Sequence, residues 1–318
     1  MKNLVKDIRK KSGLGLTLLA SVAILFTGCT DDTSDSQNHK ASFYATDAPI
    51  DNVDVDAVFV TVTEIRVDGQ KVEGFQKATL ELTALTNGKT ELLEETEIEA
   101  NSFSEITVVL DYALDAEGNA PGTYVLKADG TKEAMASASS ELSFSKLIKL
   151  NAGESNDIVL DFDLRKMVKE DTRGDFELVS KAELESSIRV VKASATGTVE
   201  GKLDSISKVK GKAVAYLYAK GEYAITEMQA QGESNIVFKN AVNSAVVAND
   251  GSFKLAFTEE GDYEIHIFEY VDTNNDGRME IKGKIEISAM GSAGLDGFTV
   301  GANSKTDINV GIKSIFPL

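Results

Sequence analysis

The sequence predicts an all-β fold of two antiparallel, β-sandwich-like domains. Three observations carry this. Short runs alternate apolar and polar residues with a period of two, the clearest being Ile158, Leu160, Phe162 and Leu164. Turn chemistry separates the runs, as in Asn87-Gly88, Asn151-Ala152-Gly153 and Asp250-Gly251. No long stretch repeats apolar residues at helical spacing.

Residues 1–28 are expected to be removed. Lys2, Lys6, Arg9, Lys10 and Lys11 stand against one acid, Asp7, and residues 14–26 are uncharged and mostly apolar. That is the layout of a secretory signal peptide. The apolar run is well short of the roughly 20 residues a membrane-spanning helix needs. It ends in Leu25-Phe26-Thr27-Gly28-Cys29, which resembles a bacterial lipobox, with Phe26 where Leu is usual. The resemblance implies cleavage between Gly28 and Cys29. It also implies lipid on Cys29: a diacylglyceryl thioether and an N-acyl chain such as palmitate. Two or more chains anchor stably where one does not. The competing reading is an ordinary signal that happens to end at a cysteine. Cys29 is the only cysteine of the 318 residues, so no intramolecular disulfide forms and stability must come from the core.

Residues 29–39 are polar and acidic and read as a disordered tether. Acids directly after the lipidated cysteine resemble surface-export signals of lipoproteins; a plain solvated spacer is the other reading. Net charge is −18, and losing the five cations and one acid of the signal leaves −22. Such a chain repels nucleic acid and anionic membrane surfaces, and its carboxylates are open to divalent cations.

The first domain is expected over 40–192. Val58, Val60 and Val62 share one strand face, then the phase shifts to Ile65 and Val67, which predicts a β-bulge or a bend. Leu80 with Leu82, Ile106 with Val108 and Leu110, and Leu142 with Phe144 continue the alternation. A short helix is expected to begin at 164–168. Small residues at 194–198 form a joint, and the second domain is expected over 196–318. There, Phe253, Leu255 and Phe257 share a face, as do Tyr263, Ile265 and Ile267, with Asp250-Gly251 and Gly261-Asp262 opening the two strands.

Two family resemblances sit on these residues. Thr46-Asp47-Ala48-Pro49, Val58 to Val67, Leu82 to Gly88, Ile158 to Asp163 and Ile188 to Val191, in that order, resemble domain of unknown function 4382 of bacterial lipoproteins. This implies a β-rich fold placed at the surface or in the periplasm, and no known activity. Gly197 to Gly201, Asp250 to Phe253 and Gly261-Asp262-Tyr263 resemble the regulatory-like β-sandwich of carboxypeptidases and transthyretin-like modules. Such modules serve as spacers or binding platforms.

The chemistry-bearing motif is Asp272-Thr-Asn274-Asn-Asp276-Gly277-Arg278-Met-Glu280, which matches the opening of a calcium loop. Alternate oxygens from Asp272, Asn274 and Asp276 would converge on one ion, joined by the Arg278 carbonyl and Glu280. Position 12 is Gly283 rather than Glu, and the flanks are strand-like, so a true EF-hand is excluded. A metal-free turn rich in Asx residues competes with the calcium reading. The acids Asp47, Asp51, Asp54 and Asp56 read as a solvated loop, and Asp161 and Asp163 as the solvent face of their strand. His266 alternates with Ile265 and Ile267 and reads as outward-facing.

No metalloprotease, P-loop, dinucleotide or nucleophile-elbow motif is present. The expectation is a non-enzymatic, lipid-anchored cell-envelope protein, at the outer membrane's periplasmic face or the cell surface. It would bind or adhere to an unknown protein or glycan, with calcium as the only candidate cofactor. A structural subunit of a fimbria-like assembly is the first alternative. The second is a carbohydrate-active enzyme using paired carboxylates, disfavoured by the absence of Trp.

Overall fold

The computed structural model describes residues 38–48, 55–171, 173–274, 279–290 and 297–318. The described residues all belong to one compact unit. The signal peptide, Cys29 and the tether up to residue 37 lie outside the described residues. The described residues are mainly β, in four sheets. No helix among the described residues is long and apolar enough to cross a membrane.

One sheet orders Ile188–Lys192, Asn156–Asp163, His39–Ala48 and Glu91–Ile98. A larger one is built on the long strand Val55–Val67, which pairs with Ser102–Asp111 and Tyr124–Lys127. Their inner faces meet in one core that includes Phe43, Val60, Ile65, Leu80, Ile106, Leu160 and Phe162. The phase shift expected in Val55–Val67 is a register shift between Val62 and Glu64, and it lets Val58, Val60, Val62, Ile65 and Val67 all reach that core.

Not every pairing is antiparallel. His39–Ala48 runs parallel to Asn156–Asp163, and Thr196–Asp204 runs parallel to Lys305–Pro317. Each pair joins segments about a hundred residues apart, so the chain has length for the crossover that parallel strands require. His39 opens its strand and is 2% exposed, so this strand begins one residue before the 40–192 expected for the first domain.

Val168–Glu170 and Phe176–Leu178 form a two-stranded sheet, and the fourth sheet holds eight strands, from Asn243–Val247 at one end to Ser252–Glu259 at the other. It encloses a second core of Val199, Leu217, Leu255, Ile267, Ile285 and Val310. The two end strands lie beside each other, bonded by Asn243 Nδ2 donating to the Ala256 carbonyl at 2.7 Å, so the sheet curls around this core. Its outer face carries Tyr216, Tyr218, Phe268 and Tyr270, which form a third, aromatic cluster together with Phe238. Residues 220–242 cover that face. His266 points outward from its sheet, as expected, yet it is covered: its ring stacks on Tyr223 at 3.8 Å.

The Asp250-Gly251 turn depends on glycine. Gly251 has φ +86°, and a Cβ there would stand 2.3 Å from the Leu203 carbonyl oxygen. A side chain would meet both a strained backbone and a clash. Gly251→Ala is expected to lower the unfolding free energy by about 1–3 kcal/mol, read from the urea midpoint. An unchanged midpoint would mean the turn relaxes freely.

Candidate functional site

The strand Asn156–Asp163 alternates as expected, with Ile158, Leu160 and Phe162 in the first core. Its other face is not solvent. Asp161 is only 6% exposed, and Asp163 is also largely covered. The cover comes from residues 237–243 and from Glu259 and Tyr263 of the eight-stranded sheet. Alternation reports which side chains share a face, not what lies over that face.

Between these parts opens a cleft of about 240 Å³. Asp161, Asp163, Lys166 and Arg189 line one wall, and Lys239, Glu259 and Tyr263 the other. The helix Leu164–Met167 follows directly on the strand, so it carries Arg165 and Lys166 to the same place. The second helix, Lys181–Ser187, starts with a capping box between Ser180 and Glu183 and runs into the strand of Arg189.

Cations of the first wall hold the second. Arg165 Nη1 donates to the Val237 and Phe238 carbonyls at 2.7 and 3.0 Å, and its Nη2 to Asp163 Oδ2 at 2.9 Å. Lys166 Nζ donates to the Ala241 carbonyl at 2.6 Å and lies 3.3 Å from Asp163 Oδ2. Arg189 pairs with Asp161 and donates to the Phe257 carbonyl at 3.3 Å. In the other direction, Ser234 donates to Glu183 through Oγ at 2.6 Å and through its backbone N–H at 3.2 Å.

This setting moves the titrations. Burial raises the Asp161 carboxyl above the usual carboxylate range, against the pull of Arg189. Burial would raise Asp163 too, but Arg165 and Lys166 outweigh it and hold the carboxyl below that range. Burial pushes the Lys166 ammonium down to about 8, with Arg165 adding to it and Asp163 opposing. Perturbed groups gathered in one cleft mark a candidate site. One acceptor is left over: Asp163 Oδ1 is buried and makes no hydrogen bond.

The other expected sites divide. In the calcium-loop candidate, Glu280 Oε2 accepts from the Thr273 backbone N–H and hydroxyl at 3.0 and 2.9 Å, which closes the loop base as a turn does. Asp272 and Asn274 are described, whereas Asp276 and Arg278 lie outside the described residues. Among the described residues no cluster of three or more metal-ligating side chains occurs. Of the acidic loop, Asp47 is not solvated but 5% exposed, with Oδ1 accepting from the Leu164 N–H at 3.3 Å. Asp56 is exposed, and Asp51 and Asp54 lie outside the described residues. The strand Asn156–Asp163 draws Asp47 inward by pairing with its strand.

Similar solved structures include the TIE protein of Bacillus anthracis, at 14% identity and TM-score 0.19. The match covers 86% of this chain and 34% of that one, so the chain spans about a third of its length. BcpA, the major pilin subunit of Bacillus cereus, is 15% identical over 87% of this chain and 71% of its own, at TM-score 0.18. The shaft pilin SpaA from Lactobacillus rhamnosus GG is 11% identical over 88% and 100%, at TM-score 0.20. Scores near 0.2 carry neither a shared topology nor a shared role. No curated protein matches the chain. Residues 39–180, the part of the chain that supplies Asp161, Asp163 and Lys166 to the cleft, match the family model of a domain of unknown function, DUF4382.

Proposed function

We propose that this is a lipid-anchored cell-envelope protein whose body binds a ligand without turning it over. The cleft between Asp163 and Lys239 carries the binding half of that reading. It is concave, and it gathers charged groups from both sheet systems. Its carboxylates and cations are mostly engaged with each other or with backbone carbonyls, which suits holding a ligand better than moving protons on one. The regulatory-like segment 196–318 acts as the platform that closes the cleft.

The anchoring half rests on the basic segment, the apolar run and Leu25 to Cys29. Cys29→Ser is expected to move the protein from the membrane to the soluble fraction, or to stall it as precursor with residues 1–28 attached. Metabolic labelling with a palmitate analogue should mark the parent chain and not the variant. Unchanged membrane fractionation of the variant would sink the lipid anchor.

A further inference from the structure

The strand Glu91–Ile98 is an edge of its sheet: it pairs with His39–Ala48 on one side and, among the described residues, with no strand on the other. In an antiparallel pair every second residue turns its N–H and C=O away from the neighbour. Glu95 is one of these, its N–H donating to Glu94 Oε1 at 3.0 Å, so Glu97, two residues on, turns its own backbone groups the same way. Among the described residues the outward N–H and C=O of Glu97 meet no partner. A groove of about 390 Å³ runs along this edge, between residues 96–100 and the turn at 67–73. That is within the roughly 300–1,000 Å³ of ligand sites. Val72, Ile98 and Phe103 give it an apolar floor, and Asp68, Glu73, Glu97 and Glu99 give it an acidic rim.

The charges of the groove do not cancel. Its one base, Lys71, is paired at 2.9 Å with Glu64, which lies outside the lining. Arg66 is held by the same Glu64 and by Glu141, and Lys40 by Glu95 at 2.9 Å. Asp68 Oδ1 accepts from the Ser104 and Glu105 backbone N–H groups and the Ser104 hydroxyl, and Glu97 Oε2 from the Asn38 amide at 2.9 Å. These donors are neutral, so both carboxylates keep their charge uncompensated. Glu73 and Glu99 are exposed and have no cationic partner among the described residues.

That acidity decides between occupants. A second copy would bring the same acidic edge, and like charges across two paired strands repel. Residues 30–37, which join the fold beside the groove at Asn38, carry Asp31, Asp32 and Asp35 and no base. A cationic segment is attracted by the same carboxylates, and as an added strand it would satisfy the outward backbone groups of Glu97. Its successive side chains would point to opposite sides, one set to the apolar floor and the other to the carboxylates. We infer that this edge takes an extended peptide segment of alternating apolar and basic residues from a partner protein. The surface is separate from the cleft at Asp163, and neither reading depends on the other.

The test is fluorescence anisotropy of the full chain with a labelled peptide of alternating lysine and valine. The same peptide with every backbone nitrogen methylated keeps the charge and can donate no strand hydrogen bond. Glu73→Gln/Glu99→Gln removes two exposed carboxylates of the groove. Asp204→Asn/Glu222→Gln removes two exposed carboxylates elsewhere and changes net charge equally. The lysine–valine peptide is expected to bind, about tenfold more weakly to Glu73→Gln/Glu99→Gln and undiminished to Asp204→Asn/Glu222→Gln, and the methylated peptide about tenfold more weakly to the parent. Equal weakening by both double variants would reduce the attraction to the net charge of the chain and overturn the site. Indifference to methylation would overturn the added strand. No binding would mean that the acids only guard the edge against pairing, and would overturn the proposal.

Discussion

Arg165→Ala is expected to lower the unfolding free energy by about 3–5 kcal/mol, the range for breaking a buried charge network by removing one partner. The Arg165 side chain is 6% exposed and carries four interactions at once. It donates to two carbonyls of the covering segment and to Asp163, and its guanidinium lies 5.3 Å from the centre of the Tyr216 ring. Removing it leaves the Val237 and Phe238 carbonyls to find other donors and strips Asp163 of its principal cation. It also unpins Phe238, whose ring stacks on Tyr216 at 4.1 Å. Arg165→Lys keeps the charge but cannot present a planar fork, so it should recover only part of the loss. Urea unfolding of the full chain with each variant measures both. A loss under about 1 kcal/mol for Arg165→Ala would show that water replaces these bonds at little cost and that the clamp is not structural.

Strand phase was readable because one core face per strand suffices to specify it. The runs through Val58, Ile158 and Tyr263 appear where their alternation puts them, and the bulge after Val62 follows from the one-residue change of phase. The candidate cleft was not readable. Its groups come from segments separated by up to about a hundred residues, and only topology brings Asp161, Lys166, Arg189 and Lys239 together. The covering segment 220–242 has no apolar period, so nothing in the sequence marks Asp161 and Asp163 as covered. The helix Lys181–Ser187, by contrast, left a signal that the search for long apolar periods passed over: Ser180 and Glu183 have the spacing of a capping box. Phe257 departs from its expected face because its φ is +52°, which breaks the alternation begun by Phe253 and Leu255.

The same covering segment gives His266 a pH-dependent role in stability. The imidazole is packed against Tyr223 and, edge-on, Tyr218, and Lys284 Nζ sits 4.4 Å from the centre of the Tyr223 ring. Burial, reinforced by the Lys284 charge, lowers the imidazole pKa to about 4. Glu264 pulls the other way, but its Oε1 stands 3.7 Å from Nε2, too far for a hydrogen bond. The folded state thus keeps the ring neutral down to about pH 4, whereas the unfolded chain protonates it near its ordinary value of 6.5. Between those values the unfolded state binds more protons, so stability is retained above about 6.5 and is lost as pH falls toward 4. The loss over that window is about 3 kcal/mol. Carboxylates also begin to protonate as pH falls toward 4, so the contribution must be isolated by difference. His266→Phe keeps a ring to stack on Tyr223 and carries no titration. Unfolding free energies of the parent and the variant, measured from pH 7 to pH 4, should diverge as pH falls, with the variant losing less. Parallel curves would mean that the ring reaches water before it protonates and that the cover over the aromatic face opens more easily than the packing of Tyr223 implies.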